Sequence, residues 1–427
     1  MGVLAVYDMV GIQNYVFSSN KLAENVGASL LVRDIFEKTL PEAIKEATGG
    51  RLFKWKEHVD EPLSDELAAE IIYTGRGNAY VAFKQDAAPN FSTFNNVTKE
   101  FLTQVNIEAR GVGIAIAAIG TDFSNCYKSD FSKLDKRLKL ARGGFNIPIF
   151  AGGQPLTKQA ERTGLPASVY LEDDDEYLST GQCMKREMHK KSKAAKFRDF
   201  DDLAFDKGAD NLIAIVHVDG NNIWGGLKKF TEDSPDAYDE AVPEFRKLFK
   251  RMGDCYDNAR ERTKAAFEKE YKLYIEKFPE IDDKTPPLID LVSDVDDTTI
   301  VICGRFAIDY AKRLLCEIEA TQEEQQPFLG SVPASCAGVA IFHSHYPFSE
   351  AYKLAEELCA SAKKPSRSFP GSYIDFHLHQ SGEVSDLKAI RERQRMVDGK
   401  SLLRSPWRVT GDSYENLLNK GVCRYDE

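Results

Sequence analysis

The chain has 427 residues, enough for two or three domains that each bury a core, and its 42% hydrophobic and 29% charged residues are the composition of a globular protein. A formal charge of −11 excludes a surface that grips nucleic acid throughout, so any polyanion must meet a local basic patch. No run of 18 apolar residues offers a membrane span and residues 1–10 lack the basic region and cleavage site of a secretory signal, so no membrane is expected and the expected compartment is the cytoplasm.

LAVYDMVGIQNYVFSSN (4–20) reads as a buried strand ending near Asp8, followed after Gly11 by a helical pattern that continues through residues 22–47. IIYTGRGNAYVAF (71–83) is a pair of strand-like arms around Gly75, Arg76, Gly77 and Asn78. A helix near Phe94 to Val105 precedes RGVGIAIAAIG (110–120), an alternating small and apolar strand. Residues 121–210 look irregular. They carry RTGLPAS (162–168), an acidic run from Glu172 to Glu176, and a basic segment of Lys185, Arg186, His189, Lys190, Lys191, Lys193, Lys196 and Arg198. That segment is either a solvated face or an anion-binding loop for triphosphate or RNA.

LIAIVHVDGNNIWGGL (212–227) is a second strand ending in an acid, Asp219. After a charged stretch at about 235–277 with apolar residues at helical spacing, LIDLVSDVDDTTIVI (288–302) reads as a hairpin whose tip carries Asp296 and Asp297. SCAGVAIFHSH (335–345) answers the strand at 110–120, and a helix (347–365), a strand (372–380) and a small helical tail (386–427) follow. The second half thus replays the first as strand, helix, hairpin, helix, strand, and an internal duplication is the simplest account. The division expected is a first domain at 1–125, a linker at 126–208, a second domain at 209–385 and the tail.

A strand-end Asp facing a hairpin with two more acids is a sensible cradle for hard cations, because Mg²⁺ takes a few carboxylate oxygens together with the phosphates of a nucleotide. That pattern points to phosphoryl chemistry, with Asp219, Asp296 and Asp297 as catalytic and metal-ligating residues.

Taken in order, DMVGIQNYVFSSNKLAENVGAS, TGLPAS, HVDGNN, SDVDD, CAGVAIFHSHYPFSEAYKLAEELCASAKK and SYIDFH resemble the tandem palm-domain family of CRISPR type III large subunits, and more closely its stand-alone relatives, the CRISPR polymerase-cyclase proteins. The resemblance implies an α+β fold of two ferredoxin-like palms related to GGDEF cyclases, the second catalytic. It also implies synthesis of a cyclic oligonucleotide messenger from ATP in antiviral defence, with two Mg²⁺ or Mn²⁺ ions. Asp219 then matches the strand-end ligand, and Asp296 and Asp297 the acids of the GGDD hairpin. Lys363 and Lys364 match a triphosphate-holding lysine, although a favourable charge at a helix C-terminus reads equally well. The resemblance extends the nucleotide site to Gly220, Asn221, Asn222, Gly225 and Asp294, and assigns an acceptor nucleotide to Gly11, Gln13, Gly75, Gly77 and Asn78. Asn221 and Asn222 also read as turn-shaping and helix-capping residues.

Three departures accompany the likeness. Asp294 and Val295 replace the two glycines of GGDD, crowding the nucleotide. The nuclease domain that often precedes the first palm has no counterpart, so no DNA cleavage is expected, and the four-cysteine zinc insert is absent, favouring a free-standing enzyme. Zinc is not expected: the eight cysteines stand singly, with no CxxC pair, and the pairs His343/His345 and His377/His379 read as strand-end side chains before they read as ligands. His217, two residues before Asp219, faces the same way and is either a partner of the site or core. Rival readings are a nucleotide-binding sensor or scaffold of a CRISPR-related complex and a GTP-preferring cyclase. RNA or a regulatory protein remains open as a partner, and monomer and homodimer are both admitted.

Overall fold

The computed structural model describes residues 2–409 apart from 51–52, 76, 87–89, 145–156, 173, 205–210, 279–284, 326–333, 380–386, 398–399 and 402–404. The chain folds as two compact units, one of Met1–Lys196 with Lys229–Lys250, the other of Phe197–Lys228 with the chain from Arg251 on.

The first unit begins with β1 (Gly2–Val10), α1 (Ile12–Phe17), α2 (Leu22–Asp34) and α3 (Leu40–Thr48). The hairpin β2 (Glu70–Thr74) and β3 (Asn78–Phe83), then α4 (Ser92–Glu108), β4 (Gly113–Thr121) and α5 (Tyr127–Gly143) complete its main layer. Its sheet runs β2-β3-β1-β4, all antiparallel. β1 is buried over eight consecutive residues, which explains an apolar run broken only at Asp8. Gly11 starts α1 at φ 73°, a left-handed conformation that favours glycine. A second hairpin, β5 (Ala167–Leu171) and β6 (Glu176–Ser179), leads into α6 (Thr180–Lys190), whose N-terminus is closed by a capping box between Ser179 and Gln182.

The second unit holds β7 (Leu212–Gly220), the hairpin β8 (Leu288–Ser293) and β9 (Asp297–Cys303), α9 (Ala307–Gln325), β10 (Ser335–His343), α10 (Phe348–Ser366) and β11 (Tyr373–Leu378). α7 (Ile223–Asp233) and the 40-residue α8 (Tyr238–Lys277) stand between β7 and β8 in sequence. α11 (Leu387–Arg395), β12 (Met396–Val397), β13 (Lys400–Ser401) and β14 (Trp407–Arg408) close the described chain. The sheet order is β14-β11-β10-β7-β9-β8, with only the β10–β11 pair parallel. Four of its strands, β8-β9-β7-β10 read from the β8 edge, repeat the order of the first sheet: hairpin, first strand, last shared strand. Gly338 lets β10 lie against α10 backbone to backbone, since an added Cβ would sit 2.4 Å from the Cys359 amide nitrogen.

The units divide the chain differently from the sequence-based boundaries. Much of the stretch read as an irregular linker belongs to the first unit, because α5 packs Phe131, Leu134 and Leu138 inward at helical spacing and α6 presses on α2 at Gly27. Within α8, Arg246 belongs to the first unit. It is fully buried and donates to the carbonyls of Ile71 (2.9 Å), Ile72 (3.2 Å) and Glu61 (3.0 Å) and to Glu70 Oε1 (2.7 Å). Among the described residues, the tail expected to be helical is helical only in α11, and β14 joins the sheet beside β11. Residues 410–427 lie outside the described residues.

Candidate functional site at the foot of the second sheet

β7 and β9 pair antiparallel in a register that sets Asp219 directly opposite Asp297. Like charges facing one another across a strand pair are destabilising, so this is a placement that sheet stability alone disfavours. The turn between β8 and β9 is closed by the Asp294 amide donating to the Asp297 carbonyl (2.7 Å), and the Gly220 amide donates to the Asp296 carbonyl (3.1 Å). All three acids named from the sequence therefore meet at one end of β7. Neither Asp294 nor Val295 adopts a positive φ, so the turn forms without the glycines of the GGDD pattern. Val295 is half-buried, its amide held by Asp294 Oδ1 at 2.8 Å.

The electrostatics follow from this crowding. Burial, then the charges of Asp219 and Asp294, push the Asp296 carboxyl up to about 7 and that of Asp297 up to about 8, with Lys363 opposing the rise at Asp297. Asp297 Oδ1 is buried and accepts no hydrogen bond among the described residues. The His217 Nδ1 lies 3.5 Å from that oxygen and 3.1 Å from Thr299 Oγ1. Burial lowers the pKa of His217, so the imidazole is a poor source of positive charge beside Asp297.

Asp219 is answered instead by Lys363 on α10, whose ammonium lies 2.5 Å from Asp219 Oδ2 and donates to the Gly220 carbonyl at 3.2 Å. Lys364 is exposed and stands away from this contact. Gly220 is required by close packing: an added Cβ would lie 2.7 Å from Ile223, 2.9 Å from the Tyr256 hydroxyl and 3.1 Å from Asp296 Cβ. Asn221 has its side-chain amide buried beside this foot. Asn222 takes φ 54° at the start of α7, and Gly225 is the residue that leaves room for its side chain.

Two residues of the site left no mark in the sequence pattern. Arg260 of α8 donates to the Asp294 carbonyl (2.9 Å) and to Thr298 Oγ1 (3.0 Å), bracing the acid turn from behind. One helical turn earlier, Tyr256 bonds Ser335 Oγ at 3.1 Å beneath Gly220. Their i, i+4 spacing on a long charged helix is the one signal that could have singled them out.

The first unit repeats the geometry with different chemistry. Asp8 lies opposite Asn78, the Gly75 amide donates to the Asn78 carbonyl (2.8 Å) and the Met9 amide to the Gly77 carbonyl (2.8 Å). Asp8 is buried and both its oxygens are taken by Arg142 of α5, through Nε at 2.6 Å and through Nη2. Gly11 and Gln13 are exposed at the start of α1, and Arg76 lies outside the described residues.

Three members of the basic segment, Lys185, Arg186 and His189, are spent internally. Lys185 donates to the Tyr15 carbonyl at 2.7 Å over the Tyr15 ring, and its burial lowers its pKa to about 8. Arg186 joins Glu24, Glu176 and Asp174, and His189 is buried against the Ala194 carbonyl. Lys190, Lys191, Lys193, Lys196 and Arg198 remain exposed. The loop reading fails for the buried members because α6 turns them toward α1, α2 and β6.

Among the described residues no group of three or more His, Cys, Asp or Glu side chains converges as it stands on a point that could hold a metal ion, at this foot or at the histidine pairs. The donor set at the foot nevertheless fits a hard divalent cation: carboxylates held together against their repulsion and a buried carboxylate oxygen with no hydrogen bond. No described helix is long and apolar enough to cross a membrane.

No protein-family model and no curated protein matches the chain. Solved structures do match. They include Csm1 in the Csm1–Csm4 cassette in complex with AMPPNP (12% identity, TM-score 0.51, 85% of this chain and 53% of that chain) and the same cassette in complex with cA3 (12%, 0.50, 91% and 55%). Csm1 in T. onnurineus matches similarly (12%, 0.50, 87% and 53%). The chain thus spans just over half the length of these neighbours, and the likeness is one of fold: this is the α+β fold of Csm1, the type III CRISPR large subunit.

Proposed function

We propose that the second unit is a metal-dependent nucleotidyltransferase that makes a cyclic oligonucleotide messenger from ATP in prokaryotic antiviral defence. The observation that carries this reading is Asp219 facing Asp297 across β7 and β9 with Asp296 in the adjoining turn. Solved relatives of the fold in complex with AMPPNP and cA3 support it. The matched strand orders and turn hydrogen bonds support reading the two units as copies of one ferredoxin-like palm.

Asp219, Asp296 and Asp297 would hold Mg²⁺ or Mn²⁺, which when bound supplies Lewis-acid help for in-line attack of one nucleotide's hydroxyl on the α-phosphate of another. The chain's own work is positional. His217 packs beside the Asp297 carboxylate, Arg260 and Tyr256 fix the turn and strand that carry the acids, and Lys363 stands where a phosphate can meet a cation. The Csm1–Csm4 cassettes favour a protein partner for this chain as well.

A second reading rests on the Lys363–Asp219 ion pair: a nucleotide-binding sensor whose acids are internally neutralised and which turns nothing over. Incubating the protein with each labelled NTP and Mg²⁺ or Mn²⁺ and separating the products decides between them. Metal-dependent product that vanishes in Asp219→Asn and Asp297→Asn supports the enzyme, and ATP binding without product in any condition supports the sensor.

A further inference from the structure

Each unit places a cation from the helix that follows its last shared strand against the acid at the end of its first strand. Arg142 and Lys363 both come fifteen residues after the start of their helices, 127 to 142 in α5 and 348 to 363 in α10, and they reach Asp8 and Asp219 respectively. The two pairs differ in kind. Arg142 covers both oxygens of a buried carboxylate with two nitrogens of a planar, permanently charged group. Lys363 makes a single contact to a carboxylate whose side chain is 40% exposed, from a flexible stem.

We infer that Lys363 is the resident counter-ion of Asp219, exchanged for the divalent cation when the site loads, and that Arg142 is the non-exchangeable equivalent that keeps a metal out of the first unit. This inference rests on the proposed metal site. The ammonium occupies the Asp219 oxygen that a metal would otherwise take. The exchange also gives the displaced lysine a destination, since an ammonium freed from Asp219 beside the site is available to the phosphates of the incoming nucleotide.

A lysine that only binds triphosphate would leave metal affinity untouched in nucleotide-free protein, whereas a counter-ion competes with metal. The test is a Mn²⁺ titration of the full chain without nucleotide, followed by the electron paramagnetic resonance signal of the free ion, with a thermal melt of each protein. Lys363→Met is expected to bind Mn²⁺ roughly tenfold more tightly than the wild type, because a competing charge at contact distance is gone. Lys363→Arg is expected to bind several-fold more weakly, because a guanidinium can clamp both carboxylate oxygens as Arg142 does. Asp219→Asn marks which binding belongs to the site. Shifts in these opposite directions support the inference. Any other pattern of Asp219-dependent binding overturns it and leaves the proposed function standing, and no Asp219-dependent binding in the wild type or either Lys363 variant overturns both.

Discussion

Asp219 and Asp297 sit directly across from one another on adjacent antiparallel strands, and Lys363 contacts Asp219 while Asp297 Oδ1 is buried with no hydrogen-bond partner among the described residues. Asp297→Asn is therefore expected to leave the fold as stable or about 0.2 to 1 kcal/mol more stable. Metal-dependent product should fall on the order of 10² or more. Thermal unfolding beside a product assay checks the pair, and a large loss of stability would show that the acid is structural.

The raised carboxyls give a pH signature. In the unfolded chain both acids ionise near pH 4, whereas in the folded, metal-free protein they keep their protons until about 7 at Asp296 and about 8 at Asp297. The folded state thus binds more protons between roughly pH 4 and 8, and these groups make stability fall as pH rises through that window. The wild type should lose stability more steeply than Asp297→Asn over this range. Added Mn²⁺ should raise the melting midpoint more at pH 8 than at pH 6, where it must displace protons.

Arg260→Ala removes two hydrogen bonds from the acid turn, leaving the Asp294 carbonyl and Thr298 hydroxyl short of a donor. A loss of about 1 to 3 kcal/mol is expected, together with weaker Mn²⁺ binding. Lys264→Ala on the same helix breaks only an exposed pair with Asp290 at 3.2 Å, and should cost less than about 1 kcal/mol and leave Mn²⁺ binding alone. Denaturant unfolding and metal titration of both variants test the contrast.

In the first unit, Arg246→Met strands Glu70, a buried carboxylate that otherwise accepts the guanidinium and the Ser64 amide. The expected cost is about 3 to 5 kcal/mol. Pairing it with Glu70→Gln should recover part of that, as a double-mutant cycle in denaturant would record.

Much of this is legible in the sequence. Strand-end acids stand out against apolar runs, so Asp219, Asp296 and Asp297 are conspicuous in the sequence, and the alternation at 110–120 and 335–345 marks the last strand that the two sheets share, β4 and β10. Other features depended on contacts distant in sequence. Nothing local tells that Arg142 reaches Asp8 or that Arg260 reaches the turn at 294, because a charged residue on a helix reads the same whether its partner is solvent or a carbonyl far along the chain. The basic segment misled for the same reason: Arg186 reads as a free cation until Glu24 and Glu176 surround it. By contrast α5 was missed although its apolar residues at 127, 131, 134 and 138 carry the helical period, masked by the charges between them.

Gly338 lies 25 positions before Lys363, yet it governs how near that ammonium can come. With strand and helix touching main chain to main chain, a methyl group at 338 would overlap the Ala355 carbonyl, and α10 could make room only by riding outward and drawing its lysine off Asp219. An alanine there, mild by any hydropathy scale, would read in a mutational survey as damage to the chemistry of a residue it never touches.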